Sequence, residues 1–323
     1  MKVLITAIGR RVELIEELKR HFFVIGADLN SNIVAINYVD KFYNVPSYKD
    51  ENYINILIEI CKKEKVDMII PLFESEFLTL CNHREKFLDV GTTLLLSNKS
   101  VVHICNNKLK TYNFFKNNNI DTPITYSKDE IENAIKNNKY IKYPLIIKPL
   151  EGMGSKNVFK INNEKELNFF KDYVEKPVIQ EFIDGTEYTI DALCDTKGNI
   201  ISIVPRERIE VRGGEVSKTR TVKSKKIIEK TIELIFKMIK NCKDNICFSV
   251  AGPLTIQCIV TPKDEIKFIE VNPRFGGGVP ISFKAGVDYG YYFKKMILDE
   301  EVSSIVGNFK EITMLRYDKS IYK

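Results

Sequence analysis

Apolar and polar residues follow two distinct rhythms along the first hundred positions. KVLITAI (2–8), FFVIGADL (22–29), VDMIIPLF (66–73) and TTLLLS (92–97) are nearly continuous apolar runs, the pattern of strands buried on both faces in a parallel sheet. Between them, RRVELIEELKRH (10–21) and stretches near 51–65 and 75–88 carry a helical period. Strand, helix, strand in series predicts a doubly wound α/β domain. Near residue 106 the texture changes. NNKLKTYNFFKNNNIDTPITYS (106–127) reads as a helix ending in an Asn-rich turn, with Pro123 opening an extended segment. Strands then dominate, among them PLIIKP, NVFKI, PVIQEFI, YTIDALCD, IISIVPRERIEV, LTIQCIV and IKFIEVN, interrupted by helices at about 164–175 and 224–241. That predicts a second, mostly antiparallel α+β unit without internal repeats.

Composition narrows the class. A chain of 323 residues can bury more than one core, so two or three compact units are expected. With 44% hydrophobic and 28% charged residues it has the make-up of a soluble globular protein. The net charge of +6 is spread among interleaved Lys, Asp and Glu, without a basic block. No nucleic-acid partner is expected, whereas an anionic small molecule fits. Seven cysteines sit without a CxxC pair and are expected to be reduced and mostly buried rather than metal-binding. The opening MKVLITAIGRR does not read as a signal peptide, and no run reaches the ~20 apolar residues of a membrane span. The expectation is a cytoplasmic protein with no membrane association.

Several segments carry chemistry. The turn Gly9-Arg10-Arg11 lacks the GxGxxG that brings a pyrophosphate to the backbone, so no dinucleotide site is expected there. LIIKPLEGMGSKNVFKI (145–161) ends a strand in Lys148 and places Gly152, Gly154 and Ser155 in a short loop before the next strand. Glycines let N–H groups approach phosphate oxygens and the lysine supplies fixed charge; a plain hairpin turn is the competing reading. In VIQEFIDGTEYTID (178–191), Glu181, Phe182 and Ile183 suit a hinge whose backbone pairs with an adenine, and Glu187 suits ribose hydroxyls. A glutamate after a turn is nonetheless commonplace. The hairpin is the stronger signal. If Pro262 to Glu265 form its turn, Gln257 opposes Glu270, and Glu270 and Asn272 share that face. Three oxygen-bearing side chains then converge where magnesium, which takes one or two carboxylates plus substrate phosphates, could sit. Arg274, beyond the strand end, is placed to steady a transferring phosphoryl group. A one-residue slip in register would destroy the convergence.

Taken in order, NKLKT, KPLEGMGS, EFIDGTE and above all EVNPRF resemble the ATP-grasp superfamily. The likeness is to its carbamoyl-phosphate-synthase-like branch, which includes pyrrolysine-biosynthesis-type ligases. It implies a Rossmann-like, pre-ATP-grasp domain at 1–106, a small lid subdomain at 107–183 and a large subdomain at 184–323. It implies ATP with Mg²⁺ or Mn²⁺, and it gives Lys108 and Lys148 to the phosphates, Gln257, Glu270 and Asn272 to the metal, and Arg274 to the transition state. The implied activity is ligation of a small-molecule carboxylate to an amine or thiol through an acyl phosphate. Such chemistry needs positioning and charge stabilisation but no covalent protein nucleophile. His21, His83 and His103, all in the first third, do not suggest a catalytic triad. With one such module, carbamoyl phosphate synthesis itself is not expected, though a related activity stays open, as does a nucleotide-binding regulatory protein without turnover. Arg206, Arg208, Arg212 and Arg220 of PRERIEVRGGEVSKTR (205–220), with Gly276 and Gly277, are candidates for reading the substrate; strand-face arginines in surface ion pairs are the competing reading. A homodimer is left open.

Overall fold

A computed structural model of the chain describes residues 1–137, 139–152, 154, 156–241 and 249–322. The first domain is built on a five-stranded parallel sheet: β1 (Lys2–Thr6), β2 (Phe23–Asp28), β3 (Lys41–Asn44), β4 (Met68–Pro71) and β5 (Thr93–Leu94), in the order β3-β2-β1-β4-β5. The apolar runs become β1, β2 and β4, buried on both faces as parallel strands are. TTLLLS contributes only two residues of strand. The guanidinium of Arg84 donates to the carbonyls of Leu94, Leu96 and Ser97 at 2.7, 2.6 and 3.1 Å, which takes the acceptors a longer strand would use. The helix expected near 75–88 is instead three short pieces, Glu74–Glu76, Phe77–Cys81 and Arg84–Leu88.

The second unit is α+β, as expected, and holds two antiparallel sheets. The smaller has β6 (Thr125–Ser127), β7 (Leu145–Pro149), β8 (Phe159–Ile161) and β9 (Pro177–Glu181), ordered β6-β9-β7-β8. It encloses its own small core of Ile131, Leu145, Ile147, Ile161, Leu167, Val174 and Ile179. The larger has β10 (Thr186–Cys194), β11 (Ile200–Arg212), β12 (Glu215–Thr221), β13 (Gly252–Val260), β14 (Ile266–Asn272) and β15 (Thr313–Leu315), ordered β14-β13-β10-β11-β12-β15. One face is apolar, with Ile190, Ala192, Leu254, Ile256 and Cys258 buried. The other is polar. Across it, cross-strand pairing aligns Asp191 with Thr255 and Asn272, and Thr189 with Arg206, Gln257 and Glu270.

That polar face depends on one irregularity. From the turn, Val260 pairs with Ile266 and Cys258 with Phe268, and then the register shifts so that Gln257 pairs with Glu270. Ile269 is the extra residue of a β-bulge. In an unbroken strand Ile266, Phe268, Glu270 and Asn272 would all point the same way. The bulge keeps Ile266 and Phe268 in the core and turns Glu270 and Asn272 to the opposite face.

Candidate functional site

The end of β7 comes near the polar face of the large sheet, and the loop after β4 reaches the turn beyond β14. Asn272 donates from Nδ2 to Glu270 Oε1 at 3.1 Å, which orients the carboxylate, and Gln257 stands beside Glu270 on the neighbouring strand. Lys148 approaches from β7. It is 8% exposed and donates to Gln180 Oε1 at 2.9 Å, and Gln180 in turn donates to Thr125 Oγ1 at 2.8 Å. Burial pushes its ammonium down to about 8, against the attraction of Glu270 and with the repulsion of Lys108. Lys108, in the first turn of the helix Lys108–Asn117, places Nζ 3.4 Å from Gly152 O and 3.5 Å from Leu150 O, at the root of the glycine loop.

Arg274 sits just past β14. Thr255 Oγ1 donates to its carbonyl at 2.8 Å and its own N–H donates to Asn272 O at 2.8 Å, so the turn after the strand is fixed from both sides. Its guanidinium forms an ion pair with Glu74 of the first domain at 2.5 Å. Burial raises Glu74 above the ordinary carboxylate range, Arg274 opposing the shift and Glu270 adding to it. Glu74 was not among the expected site residues; nothing local marks a glutamate after a parallel strand as reaching another domain.

The remaining candidates divide. Glu187 is held by Arg208 at 3.1 Å, and Arg208 also reaches Thr189 Oγ1 at 3.4 Å and is attracted by Glu270, so both stand near the polar face. Phe182 stacks beneath Lys160, with Nζ 3.9 Å from its ring centre, while the Glu181 N–H donates to Ile124 O at 2.8 Å at the rim. Ile183 follows β9 at the same hinge. Gly152 and Gly154 lie on the loop after β7; Ser155 falls outside the described residues. Arg206 lies deeper. It is 2% exposed, bound to Asp191 at 2.9 Å, with Ser282 Oγ donating to the same carboxylate at 2.8 Å. A Cβ on Gly278 would lie 2.6 Å from its guanidinium, so this arginine packs beneath the glycine turn, its Nη1 without a hydrogen-bond partner among the described residues. Arg220 pairs with Glu207 at 2.7 Å on the face away from Arg206, the strand-face ion pair that was the competing reading.

Gly276 and Gly277 open instead onto a cavity of about 440 Å³ between the first domain and the β11–β12 hairpin, with Arg10, Arg11, Arg212 and Arg316 on its walls. Sequence reading set Gly9-Arg10-Arg11 aside for want of a dinucleotide motif. The available signal was position, since ligands of open parallel sheets bind beyond the carboxyl ends of the strands and these arginines follow β1.

Among the described residues, no three His, Cys, Asp or Glu side chains gather as a metal site, and Cys61, Cys81, Cys105, Cys194 and Cys258 are free thiols. No described helix is long and apolar enough to cross a membrane. The family model for the ATP-grasp domain matches residues 105–278, and that for the PylC-like N-terminal domain matches residues 3–95. By sequence the chain is similar to the carbamoyl phosphate synthase large chain of Pyrococcus furiosus, 30% identical over 250 residues, covering 72% of this chain and 22% of that one. It is 25% identical over 299 residues to the C-terminal section of the Methanocaldococcus jannaschii large chain, covering 87% and 46%. It therefore spans about a quarter of the full-length large chains it matches. By structure it is similar to N5-carboxyaminoimidazole synthetase from Staphylococcus aureus complexed with ADP, with a TM-score of 0.76, 17% identity and coverage of 98% and 82%. An L-amino acid ligase from Bacillus licheniformis gives a TM-score of 0.65, 19% identity and coverage of 92% and 74%. These likenesses carry the fold.

Proposed function

Since the chain belongs to the ATP-grasp family, we propose that it is an ATP-dependent ligase that activates a carboxylate as an acyl phosphate and passes the acyl group to an amine or thiol. The observation that carries this reading is the facing of two sets: Gln257, Glu270 and Asn272 on one wall, and the cations Lys148 and Lys108 opposite, with Lys148 attracted to Glu270. One carboxylate with two amide side chains fits Mg²⁺ or Mn²⁺ shared with nucleotide phosphates, and the ion would neutralise their charge there.

This chain's residues then do the following. Lys108 and Lys148 hold the phosphates, and the loop carrying Gly152 and Gly154 covers them with backbone N–H groups. Glu181, Phe182 and Ile183 border the adenine, and Glu187, released from Arg208, accepts the ribose hydroxyls. A substrate carboxylate oxygen attacks the γ-phosphorus and ADP leaves with the bridging oxygen. The nucleophile's lone pair then attacks the acyl carbon, phosphate leaves, and the amine or thiol loses its proton. Arg274, fixed by Glu74, meets the charge that grows on the transferred phosphoryl group.

The test is ADP release screened over pairs of small carboxylates and amines, with hydroxylamine trapping the activated acyl group as a hydroxamate. Glu270→Ala should stay folded and lose roughly 10²–10³-fold or more of metal-dependent turnover, the loss expected when a group aimed at developing charge is removed. AMP as the nucleotide product would overturn the mechanism. Nucleotide binding without ADP or hydroxamate across the panel would favour the regulatory reading.

A further inference from the structure

The arginine cavity is not explained by the handling of ATP. Its wall includes Gly276 and Gly277, two and three residues beyond Arg274, and the charge of Arg274 is felt at Arg11 on the same wall, so it lies beside the turn that carries Arg274. Its volume of about 440 Å³ is that of a small-molecule pocket. Three of its arginines have acidic partners. Glu215 binds Arg10 at 3.1 Å and Arg316 at 3.3 Å, Glu13 binds Arg316 at 3.3 Å, and Glu210 binds Arg212 at 3.4 Å. Arg11 is different. Its side chain makes no hydrogen bond or ion pair among the described residues, although Glu215 attracts it from a distance and a Cβ on Gly277 would lie 3.2 Å from its Nη1. Burial, with Arg274, Arg316 and Arg10 nearby, holds it down to about 10. A guanidinium so enclosed and so crowded by like charge lacks an anion. Val12, Glu13 and Leu14, in the first turn of the helix Val12–Lys19, border the same space, and a helix's first turn is its positive end.

We propose that this cavity binds an anionic group of the ligase's substrate, a phosphoester or a carboxylate other than the one activated, with Arg11 as its principal ligand and Arg10 and Arg316 beside it. Arg11 offers the planar pair of donors that both groups accept bidentately. The substrate then spans from Arg274 to Arg11, and the enzyme selects acids or amines carrying a second negative charge over neutral ones. This rests on the ligase reading for the identity of the ligand as substrate, but the anion site itself can be tested separately.

Inorganic phosphate and succinate would be titrated, each in turn, into the full chain saturated with a non-hydrolysable Mg–ATP analogue, which fills the phosphate positions of the nucleotide site. Thermal shift and calorimetry are the readouts. Both should report saturable binding of at least one probe, and the tighter probe names the group. Arg11→Gln should weaken that binding by roughly 10–100-fold, as expected for loss of hydrogen bonds to a charged group, while its shift with the nucleotide analogue stays as in the parent and shows that the variant is folded. Arg11→Lys should recover only part of the affinity. No saturable binding of either probe, or equal binding by Arg11→Gln, would overturn the proposal. Should the analogue itself fail to bind, the ligase reading falls. The same titration without nucleotide, comparing Arg11→Gln with Arg274→Gln, then decides the anion site: selective loss in Arg11→Gln supports it and equal losses or none overturn it.

Discussion

Lys148 carries opposite demands on one nitrogen. Its ammonium is proposed to hold phosphate, yet its site is 8% exposed and the acceptor close to it among the described residues is the neutral Gln180. The cost of that burial holds its pKa at about 8, below the ordinary 10.5. Between those values the unfolded chain keeps the proton and the folded chain gives it up, so this lysine's penalty on stability is full below pH 8 and is relieved as pH rises toward 10.5. Nucleotide binding runs the other way. It selects the charged form, so affinity should fall about tenfold per unit as pH rises above 8, with a proton taken up on binding. Calorimetry in buffers of different ionisation enthalpy measures that uptake, and Lys148→Met should abolish it. The buried pair Arg206–Asp191 and the partly buried pair Arg274–Glu74 show why residue type alone does not assign such groups. Both arginines end in carboxylates, but one is packed beneath Gly278 and the other ties the end of β14 to the first domain.

The β13–β14 hairpin shows what an element reveals in its sequence. The facing of Gln257 and Glu270 was expected from a turn at Pro262–Glu265 and an unbroken register, which would set Val260 opposite Lys267; the structure pairs Val260 with Ile266, and only the offset at Ile269 brings Gln257 opposite Glu270. The bulge that permits it was not read, although the polarity changes parity after Phe268: apolar residues at 266 and 268 are followed by polar ones at 270 and 272. Ile269 is consequently dispensable to the facing of its neighbours. Deleting it should yield a regular strand with Phe268 still in the core and Glu270 still opposite Gln257, and metal-dependent nucleotide binding should persist. Deleting Val271 instead should turn Asn272 into the core and lose that binding, as calorimetry of the two variants would show. Elsewhere the parallel strands were plain from their apolar runs. The edge strand β3, KFYN, was not expected, since an edge needs no continuous burial and only partial burial marks it. The short helical pieces at 74–88 were also beyond reach, because Arg84 spends its side chain on carbonyls of residues ten to thirteen positions away.

At the scale of the molecule, one apolar core runs through two of the three sheets. Val3, Ile5, Leu14 and Leu18 of the first domain pack in the same cluster as Ile203, Val204, Phe275, Phe283 and Phe293. Polar ties reinforce the junction, His21 to Asp288 at 2.9 Å, Ser97 Oγ to Ala251 O at 3.1 Å and Lys284 to Glu17. The helix Lys108–Asn117, counted with the small unit on sequence grounds, sends Phe115 into this cluster against Phe268. The five-stranded sheet keeps a separate core on its other face, with Leu4, Ile25, Leu57, Ile69 and Phe77, and the four-stranded sheet shares its core with neither of the other two. Leu18→Ala, costing about 2–5 kcal/mol as a buried leucine does, should therefore raise amide exchange in β1 and in β10–β13 together while β7 and β9 keep their protection. Hydrogen exchange read by mass spectrometry checks this. The shared core also bears on how such a chain can change over generations. A crossover that replaced the first hundred residues with a relative's would break a packed interior on both sides of the join, so those residues and the large sheet are bound to be inherited together. The four-stranded sheet is the piece that recombination can exchange intact.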